Sequence, residues 1–182
     1  MLNILSYIGE FLNNENIRWA VGGSILLNQF GIIDSPNDID ILVDLKDINK
    51  VNDILKEIGK KKIYEKSKIY ATKFFYEYEV NNIDVDVMAG LIIKHNEGEF
   101  NYTFDKESIT KVVNINGVNI PFSSLEDWYI IYQLIPGREY KVSLIEDYFM
   151  IDGIKNSTLL ERGLKEELPK EVKWRVEKLL NL

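Results

Sequence analysis

Two segments of the sequence place aspartates at alternate positions of an otherwise apolar strand. They are DIDILVD, which starts at Asp38 and continues through Asp40, and IDVDVMA, which holds Asp84 and Asp86. Side chains alternate along a β-strand, so the two aspartates of each segment point to the same face. A buried carboxylate without a partner costs on the order of several kcal/mol or takes up a proton. The chain must therefore fold so that a cation neutralises these faces, or so that the aspartates lie at a solvated edge of a sheet.

A glycine pair lies one short helix before the first aspartate pair. The segment IRWAVGG indicates a buried strand that runs into Gly22 and Gly23, and Ser24 is predicted to cap the helix SILLNQFG. Backbone N–H groups at such a turn can approach an anion, and a helix N-terminus favours negative charge. Mg²⁺ prefers carboxylate oxygens and commonly takes substrate phosphates as further ligands. The order of these features favours a phosphate-binding turn beside a metal site, the alternative being an ordinary turn before a solvated strand edge.

Turn and cap residues divide most of the remaining chain. Asn81-Asn82 joins a predicted strand that starts at Lys68 to the strand of the second aspartate pair, and Asn116-Gly117 between β-branched residues predicts a further hairpin. Asp47 is predicted to cap a helix that runs to about Gly59. After Pro121 we predict helices that start at Ser123 or Ser124, at Arg138 and at Pro169. The fold class is therefore α+β, with a mixed β-sheet flanked by helices and followed by a small C-terminal helical region.

Composition narrows the classes of function. The net charge of -7 and the pI near 4.9 lack the basic excess of a dedicated nucleic-acid binder. The sequence has no cysteine and one histidine, which excludes thiolate chemistry and multi-histidine metal sites. The first apolar residues recur at helical spacing, and no apolar run approaches about 18 residues. We therefore expect a soluble cytoplasmic protein, without a membrane or nucleic-acid partner.

The order of these motifs resembles the nucleotidyltransferase (polymerase beta-like) superfamily. The matching residues are Gly22-Gly23-Ser24, the DID strand and the DVD strand, and the context WAVGG…DIDILV is similar to antibiotic-modifying nucleotidyltransferases that act on aminoglycosides and lincosamides. PGREYKVSLIEDY also resembles the helix that follows the catalytic domain in many such proteins, although Val142 stands where an aspartate is usual. The resemblance implies a nucleotidyltransferase-type sheet, with a catalytic domain at residues 1–120 and a helical region at 121–182.

The resemblance implies a metal site made of aspartates. Asp38 and Asp40 would ligate Mg²⁺. The third carboxylate would be Asp84 or Asp86, and it would complete the metal site or act as base on the acceptor hydroxyl. Both lie on one face of their strand, so spacing alone does not choose between them.

The resemblance also implies a nucleotide site. Gly22, Gly23 and Ser24 would hold the triphosphate of an NTP, with ATP as the expected donor. Arg138 and Lys141 are candidates for phosphate contacts, although solvated helix charges are an equally good interpretation.

The predicted function is Mg²⁺-dependent transfer of a nucleoside monophosphate from an NTP to a hydroxyl of a small acceptor, with release of pyrophosphate. Net negative charge, the carboxylates clustered on the sheet and the pair Glu126-Asp127 at a helix start together predict an acidic cleft beside the metal site. Such a cleft attracts a cationic acceptor, for which an aminoglycoside is the first choice ahead of a lincosamide. Aromatic residues of that helix, Trp128, Tyr129 and Tyr132, are expected to pack between the two parts rather than to line a pocket. The alternatives are a catalytically inactive partner-binding module and a toxin-like enzyme that modifies protein or RNA, and both monomer and homodimer stay open.

Overall fold

The fold is a mixed sheet with helices on its faces, as seen in a computed structural model that describes residues 1–63 and 69–181. Within these ranges the helices are α1 (Leu2–Asn14), α2 (Gly23–Gln29), α3 (Ile48–Ile58), α4 (Leu125–Leu134), α5 (Glu139–Asp152), α6 (Ser157–Gly163) and α7 (Lys170–Leu180). The strands are β1 (Trp19–Val21), β2 (Ile39–Val43), β3 (Lys60–Lys61), β4 (Phe74–Val80), β5 (Ile83–Ala89), β6 (Ile92–His95), β7 (Gly98–Asn101), β8 (Ile109–Ile115) and β9 (Val118–Ser123).

The sheet has the order β3-β4-β5-β2-β1-β9-β8, and β6 pairs with β7 in a separate hairpin. Strand β2 runs antiparallel to β1 and parallel to β5, and β1 runs parallel to β9. The two strands that carry aspartates are therefore neighbours at the centre of the sheet, although a helix and two strands separate them in sequence. This confirms the predicted α+β class with a mixed sheet.

Both predicted hairpin turns are confirmed. Asn81 and Asn82 connect β4 to β5 with φ of 49° and 62°, and Asn116 and Gly117 connect β8 to β9 with φ of 53° and 85°. Positive φ at both central residues gives the backbone twist that suits a two-residue hairpin loop, and asparagine and glycine tolerate it best. The predicted start of the first of these strands, Lys68, lies outside the described residues.

The predicted helix starts after Pro121 are largely confirmed. Ser124 is the N-cap of α4, and its Oγ accepts the N–H of Asp127 at 2.9 Å. Pro169 is the N-cap of α7. The prediction for Asp47 is correct in position but not in mechanism, because its carboxylate accepts the backbone N–H of Arg18 and makes no cap hydrogen bond within α3. The hairpin of β6 and β7 and the short helix α6 had no predicted counterpart.

Helix α4 is the element on which the three helices that follow it pack. Its residues are almost all buried, and it contacts α5, α6, α7 and β6. One apolar core continues from the sheet into these helices, with Trp19, Phe122 and Tyr129 among its largest fully buried side chains. Helix α4 thereby brings the side chains of one of its faces toward the aspartate strands. None of the helices in the described part of the chain is both long and apolar enough to cross a membrane.

Candidate active site

Three aspartates from two parallel strands converge at the centre of the sheet. Asp38 directly precedes β2, Asp40 lies within β2, and the register between β2 and β5 places Asp40 beside Asp86. One carboxylate oxygen from each residue lies within 4.8 Å of the other two. The side chains are half-buried, and oxygen donors at this spacing suit a hard divalent cation. The sequence expectation that Asp38 and Asp40 share a face agrees with this geometry.

Burial and mutual repulsion raise the pKa values of two carboxyl groups of this cluster. Burial, followed by the charges of Asp38 and Asp86, raises the pKa of Asp40 to about 8, although Lys141 and Arg138 act in the opposite direction. Burial and the nearby Asp38 likewise raise the pKa of Asp86 to about 7. Without a cation, the cluster therefore holds protons at neutral pH. A bound cation would replace these protons, because positive charge favours the ionised carboxylates.

The structure separates the two aspartates that spacing could not rank. Asp86 belongs to the cluster, whereas Asp84 lies toward the outer end of the strand and pairs with Lys62. More than half of the Asp84 side chain is exposed. Geometry therefore favours Asp86 as the third carboxylate and leaves Asp84 in a surface ion pair.

The glycine pair lies against the site for steric reasons. A Cβ on Gly23 would overlap the carboxylate of Asp40, and Gly23 has a φ of 57° that disfavours other residues. A Cβ on Gly22 would overlap the indole of Trp128. The N–H of Gly22 also donates to the backbone oxygen of Asp40 at 3.0 Å. Both glycines thus allow the end of β1 to approach the aspartate strand and helix α4 closely.

The prediction that Ser24 caps helix α2 is wrong. The N-cap of α2 is Gly22, without a side-chain cap hydrogen bond. Ser24 is buried and its Oγ donates to Asp38 Oδ1 at 3.1 Å, while the N–H of Asn37 donates to the same hydroxyl at 3.2 Å. Gly23, with its positive φ, is the first residue of α2, so Ser24 lies within the first turn, where its side chain faces Asp38. Ser24 therefore orients a carboxylate of the cluster.

A cavity of about 290 Å³ opens over the three aspartates. Arg138 and Lys141 line it, at the start of α5, so both predicted cations face the cluster. The Lys141 Nζ lies 3.4 Å from the Tyr132 hydroxyl and 4.8 Å from the centre of its ring. Burial and Arg138 lower the pKa of Lys141, and Asp40 and Asp38 partly offset this effect.

Sequence reasoning missed one acidic residue of this cavity and underrated two aromatic ones. Glu77 on β4 lies opposite Asp86 and lines the cavity. The two-residue turn between β4 and β5 fixes this register, so the sequence did carry the signal. Trp128 and Tyr132 are buried as expected and also line the cavity, whereas Tyr129 packs in the core and donates to Glu146.

The expected contribution of Glu126 and Asp127 to an acidic cleft is wrong. Both side chains are buried. Glu126 accepts the backbone N–H groups of Lys155 and Asn156, and Asp127 accepts from Arg162 and from the Tyr102 hydroxyl at 2.9 Å. Both carboxylates therefore bind partners within the protein that connect α4 to neighbouring segments, and neither faces a cleft in the described part of the chain. Among the described residues, the carboxylates that line the cavity are those of Asp38, Asp40, Glu77 and Asp86.

Comparisons with known proteins agree with this geometry. The family model described as aminoglycoside-2''-adenylyltransferase matches residues 4–151. Among solved structures, the chain is similar to TM1012 of Thermotoga maritima, a proposed nucleotidyltransferase, with 26% identity, a TM-score of 0.62 and coverage of 81% of this chain and 91% of that one. A search of curated protein sequences finds no significant match.

Two antibiotic-modifying enzymes are also similar in fold. ANT(2")-Ia in complex with adenylyl-2"-tobramycin has 13% identity and a TM-score of 0.56, over 99% of this chain and 94% of that one. Lincomycin-bound LnuA, a lincosamide antibiotic adenylyltransferase, has 17% identity and a TM-score of 0.52, over 78% of this chain and 93% of that one. At these identities the likeness is one of fold.

Proposed function

This chain belongs to the aminoglycoside-2''-adenylyltransferase family and is a nucleotidyltransferase, and on that premise we propose that it transfers a nucleoside monophosphate from an NTP, with ATP as the donor, to a hydroxyl of a small cationic acceptor. The observation that carries the proposal is that Asp38, Asp40 and Asp86 converge beneath one cavity. Two cationic side chains, those of Arg138 and Lys141, line the same cavity. Carboxylates bind the metal ion and cationic side chains bind phosphate oxygens, so a site with both suits a metal-bound polyphosphate.

The aspartate cluster would hold Mg²⁺. The donor set is made of carboxylate oxygens, which this ion prefers. When bound there, Mg²⁺ would supply positive charge that offsets the charge growing on the phosphate oxygens. Ser24 keeps Asp38 oriented through its hydrogen bond, and Gly23 leaves room for the Asp40 carboxylate.

The cations at the start of α5 would bind phosphate oxygens of the nucleotide. Lys141 is half-buried next to Tyr132 and the cluster, and Arg138 is more exposed at the mouth of the cavity. We also propose that the turn at Gly22, Gly23 and Ser24, where Gly23 lies against Asp40 and Ser24 against Asp38, contacts the triphosphate. This arrangement acts by positioning and by electrostatics, which is how most phosphoryl-transfer enzymes work.

In the proposed reaction, an oxygen of the acceptor hydroxyl attacks the α-phosphorus of the NTP. The bond from that phosphorus to the bridging oxygen breaks, and pyrophosphate leaves with the electron pair. The proton of the hydroxyl passes to a carboxylate, for which we propose Asp86 rather than Asp84, because Asp86 borders the cavity and Asp84 is paired with Lys62.

The acceptor class rests on the relatives and on charge. One structural relative is complexed with adenylyl-2"-tobramycin and another with lincomycin, both of which carry amines. The cavity carboxylates would attract such an amine. We further propose that residues 1–120 act as the catalytic domain, and that residues 121–182 supply Arg138, Lys141 and Tyr132 to the site.

Two measurements test this function. Calorimetric titration with ATP and with GTP, each with and without Mg²⁺, should give metal-dependent binding. A pyrophosphate-release screen against aminoglycosides, lincosamides, nucleotides and short RNAs should then give turnover with an amine-bearing antibiotic. Absence of metal-dependent binding at millimolar nucleotide would favour a catalytically inactive module, and release only with RNA or protein would favour a toxin-like enzyme.

A further inference from the structure

A second and larger cavity adjoins the one over the aspartates. It has a volume of about 460 Å³ and shares the lining residues Tyr132 and Ile135 with the first cavity. Its walls come from the end of α4, the start of α5, the start of α7 and the tip of the β6–β7 hairpin. The β6–β7 hairpin, which the sequence did not predict, and three of the helices that follow the sheet thus enclose a space beside the aspartate site.

The proposed reaction needs space for two substrates. Pockets for small molecules generally measure about 300–1,000 Å³. The cavity over the aspartates, at about 290 Å³, is just below this range. It would be largely filled by the polyphosphate and its metal, because the carboxylates and the two cations lie there. The adjoining cavity is large enough for the body of a second molecule whose hydroxyl reaches past Tyr132.

Of the charged side chains that line the larger cavity, the cationic ones form ion pairs with residues of the described chain and the anionic ones do not. Lys94 is 3.6 Å from Glu99, and Arg175 binds both carboxylate oxygens of Glu146 at 2.6 and 2.8 Å. Glu139 and Glu171 also line the cavity, and neither forms an ion pair with another residue of the described ranges. Lys94 and Arg175 each have a carboxylate partner outside the lining of the cavity, so the exposed Glu139 and Glu171 add negative charge to its rim, although Glu171 also interacts with Arg175.

The floor of the same cavity is apolar. It is formed by the side chains of Leu134, Ile135, Val142 and Val172. A ligand with an apolar portion would bury that portion here, with a gain of about 25 cal/mol for each Å² of apolar surface removed from water. A ligand that is polar on every side would leave this floor unused.

We propose that this second cavity binds the acceptor, and that the acceptor is an amine with an apolar portion rather than a polyamine that is polar throughout. This inference rests on the proposed function, because it gives the second substrate its place. The ammonium group pairs with Glu139 and Glu171, and the apolar portion packs on Leu134, Val142 and Val172. It reverses the order of acceptors expected from net charge, because the larger cavity offers an apolar lining and two carboxylates rather than an acidic surface on every side.

The test uses two probes and a matched variant. Lincomycin carries one basic amine and an alkyl chain, whereas tobramycin is a polyamine without an alkyl chain. We would titrate both into the wild-type protein loaded with Mg²⁺ and α,β-methylene ATP, which the enzyme cannot cleave. The variant is Glu139→Gln/Glu171→Gln, and the control is Glu177→Gln, an exposed glutamate of α7 outside the cavity. Thermal melts establish that each variant folds.

We expect lincomycin to bind more tightly than tobramycin, the double variant to weaken lincomycin binding about tenfold, and the control to leave it unchanged. Binding of α,β-methylene ATP should be the same in all three proteins. Tighter binding of tobramycin, equal lincomycin affinity in the double variant, or no binding of either probe at millimolar concentration would overturn the inference. Loss of metal-dependent nucleotide binding in the wild type would instead overturn the proposed function, so the two failures are distinguishable.

Discussion

At the scale of single residues, the site contains groups whose surroundings would be unfavourable without a ligand. Asp40 and Asp86 keep raised pKa values because three carboxylates share a half-buried position. Gly23 has room for no Cβ on the side of Asp40. Clustered carboxylates of this kind destabilise the unliganded protein and are typical of functional sites, where a bound ligand offsets their charge.

Stability of the metal-free protein should fall as pH rises. The unfolded-state pKa of Asp40 is near 3.8 and the folded-state pKa is about 8, so the folded form keeps a proton that the unfolded form releases. The free energy of unfolding is therefore highest below pH 4 for this group, and decreases through pH 8 by on the order of a few kcal/mol. Thermal melts in EDTA from pH 5 to pH 9 measure this decrease.

The variant Asp40→Asn is the companion to that measurement. Asparagine resembles the protonated carboxyl and does not ionise in the unfolded state, so in EDTA the variant should match the wild type near pH 4 and exceed its stability by a margin that grows from there to pH 8. Nucleotidyl transfer should be abolished, because the metal site loses a ligand. A large loss of stability at every pH would mean that Asp40 has a structural role instead.

Gly23→Ala should destabilise the protein more than Gly31→Ala. Both glycines have positive φ, at 57° and 69°, but a Cβ on Gly31 meets no atom within 4 Å. The backbone alone then costs about 1 kcal/mol at each position. The alanine at position 23 also displaces the Asp40 carboxylate, so we expect a larger loss by urea denaturation together with weaker Mg²⁺ binding. Equal losses in the two variants would contradict the close approach of Gly23 to Asp40.

At the scale of elements, local sequence signals predicted some elements well and others not at all. The turns at Asn81-Asn82 and Asn116-Gly117 and the cap at Ser124 were predictable, because each depends on a few neighbouring residues with a known backbone preference. The β6–β7 hairpin and helix α6 were not, since contacts remote in sequence stabilise them. An example is His95, whose ring nitrogen lies 3.2 Å from the backbone oxygen of Glu167.

Helix α4 should be sensitive to its cap. Ser124 is fully buried, and its Oγ accepts the N–H of Asp127. Ser124→Ala leaves that N–H without its partner, so we expect a loss of about 1 kcal/mol in the free energy of unfolding. Chemical denaturation measures it, and Ser143→Ala, at an exposed position within α5, serves as a control with a change of less than about 0.5 kcal/mol. An unchanged free energy in Ser124→Ala would contradict the role of this cap.

At the scale of the whole molecule, net charge was a poor guide to the site. The excess of acidic residues suggested a cleft that included Glu126 and Asp127, but tertiary packing buries both against backbone N–H groups and Arg162. By contrast, the aspartate cluster could be predicted from alternation along two strands. The choice of Asp86 over Asp84 required the register between β2 and β5, which sequence alone does not set for parallel strands that are distant along the chain.

The most direct test of the account compares the variants Asp86→Asn and Asp84→Asn. The two residues share a strand and a chemistry, but only Asp86 belongs to the cluster with Asp38 and Asp40. Calorimetric titration of α,β-methylene ATP, with and without Mg²⁺, should give metal-dependent binding in the wild type and in Asp84→Asn, and little or none in Asp86→Asn. Equal loss in both variants, or wild-type binding that does not depend on Mg²⁺, would contradict the assignment of Asp38, Asp40 and Asp86 as the metal site of a nucleotidyltransferase.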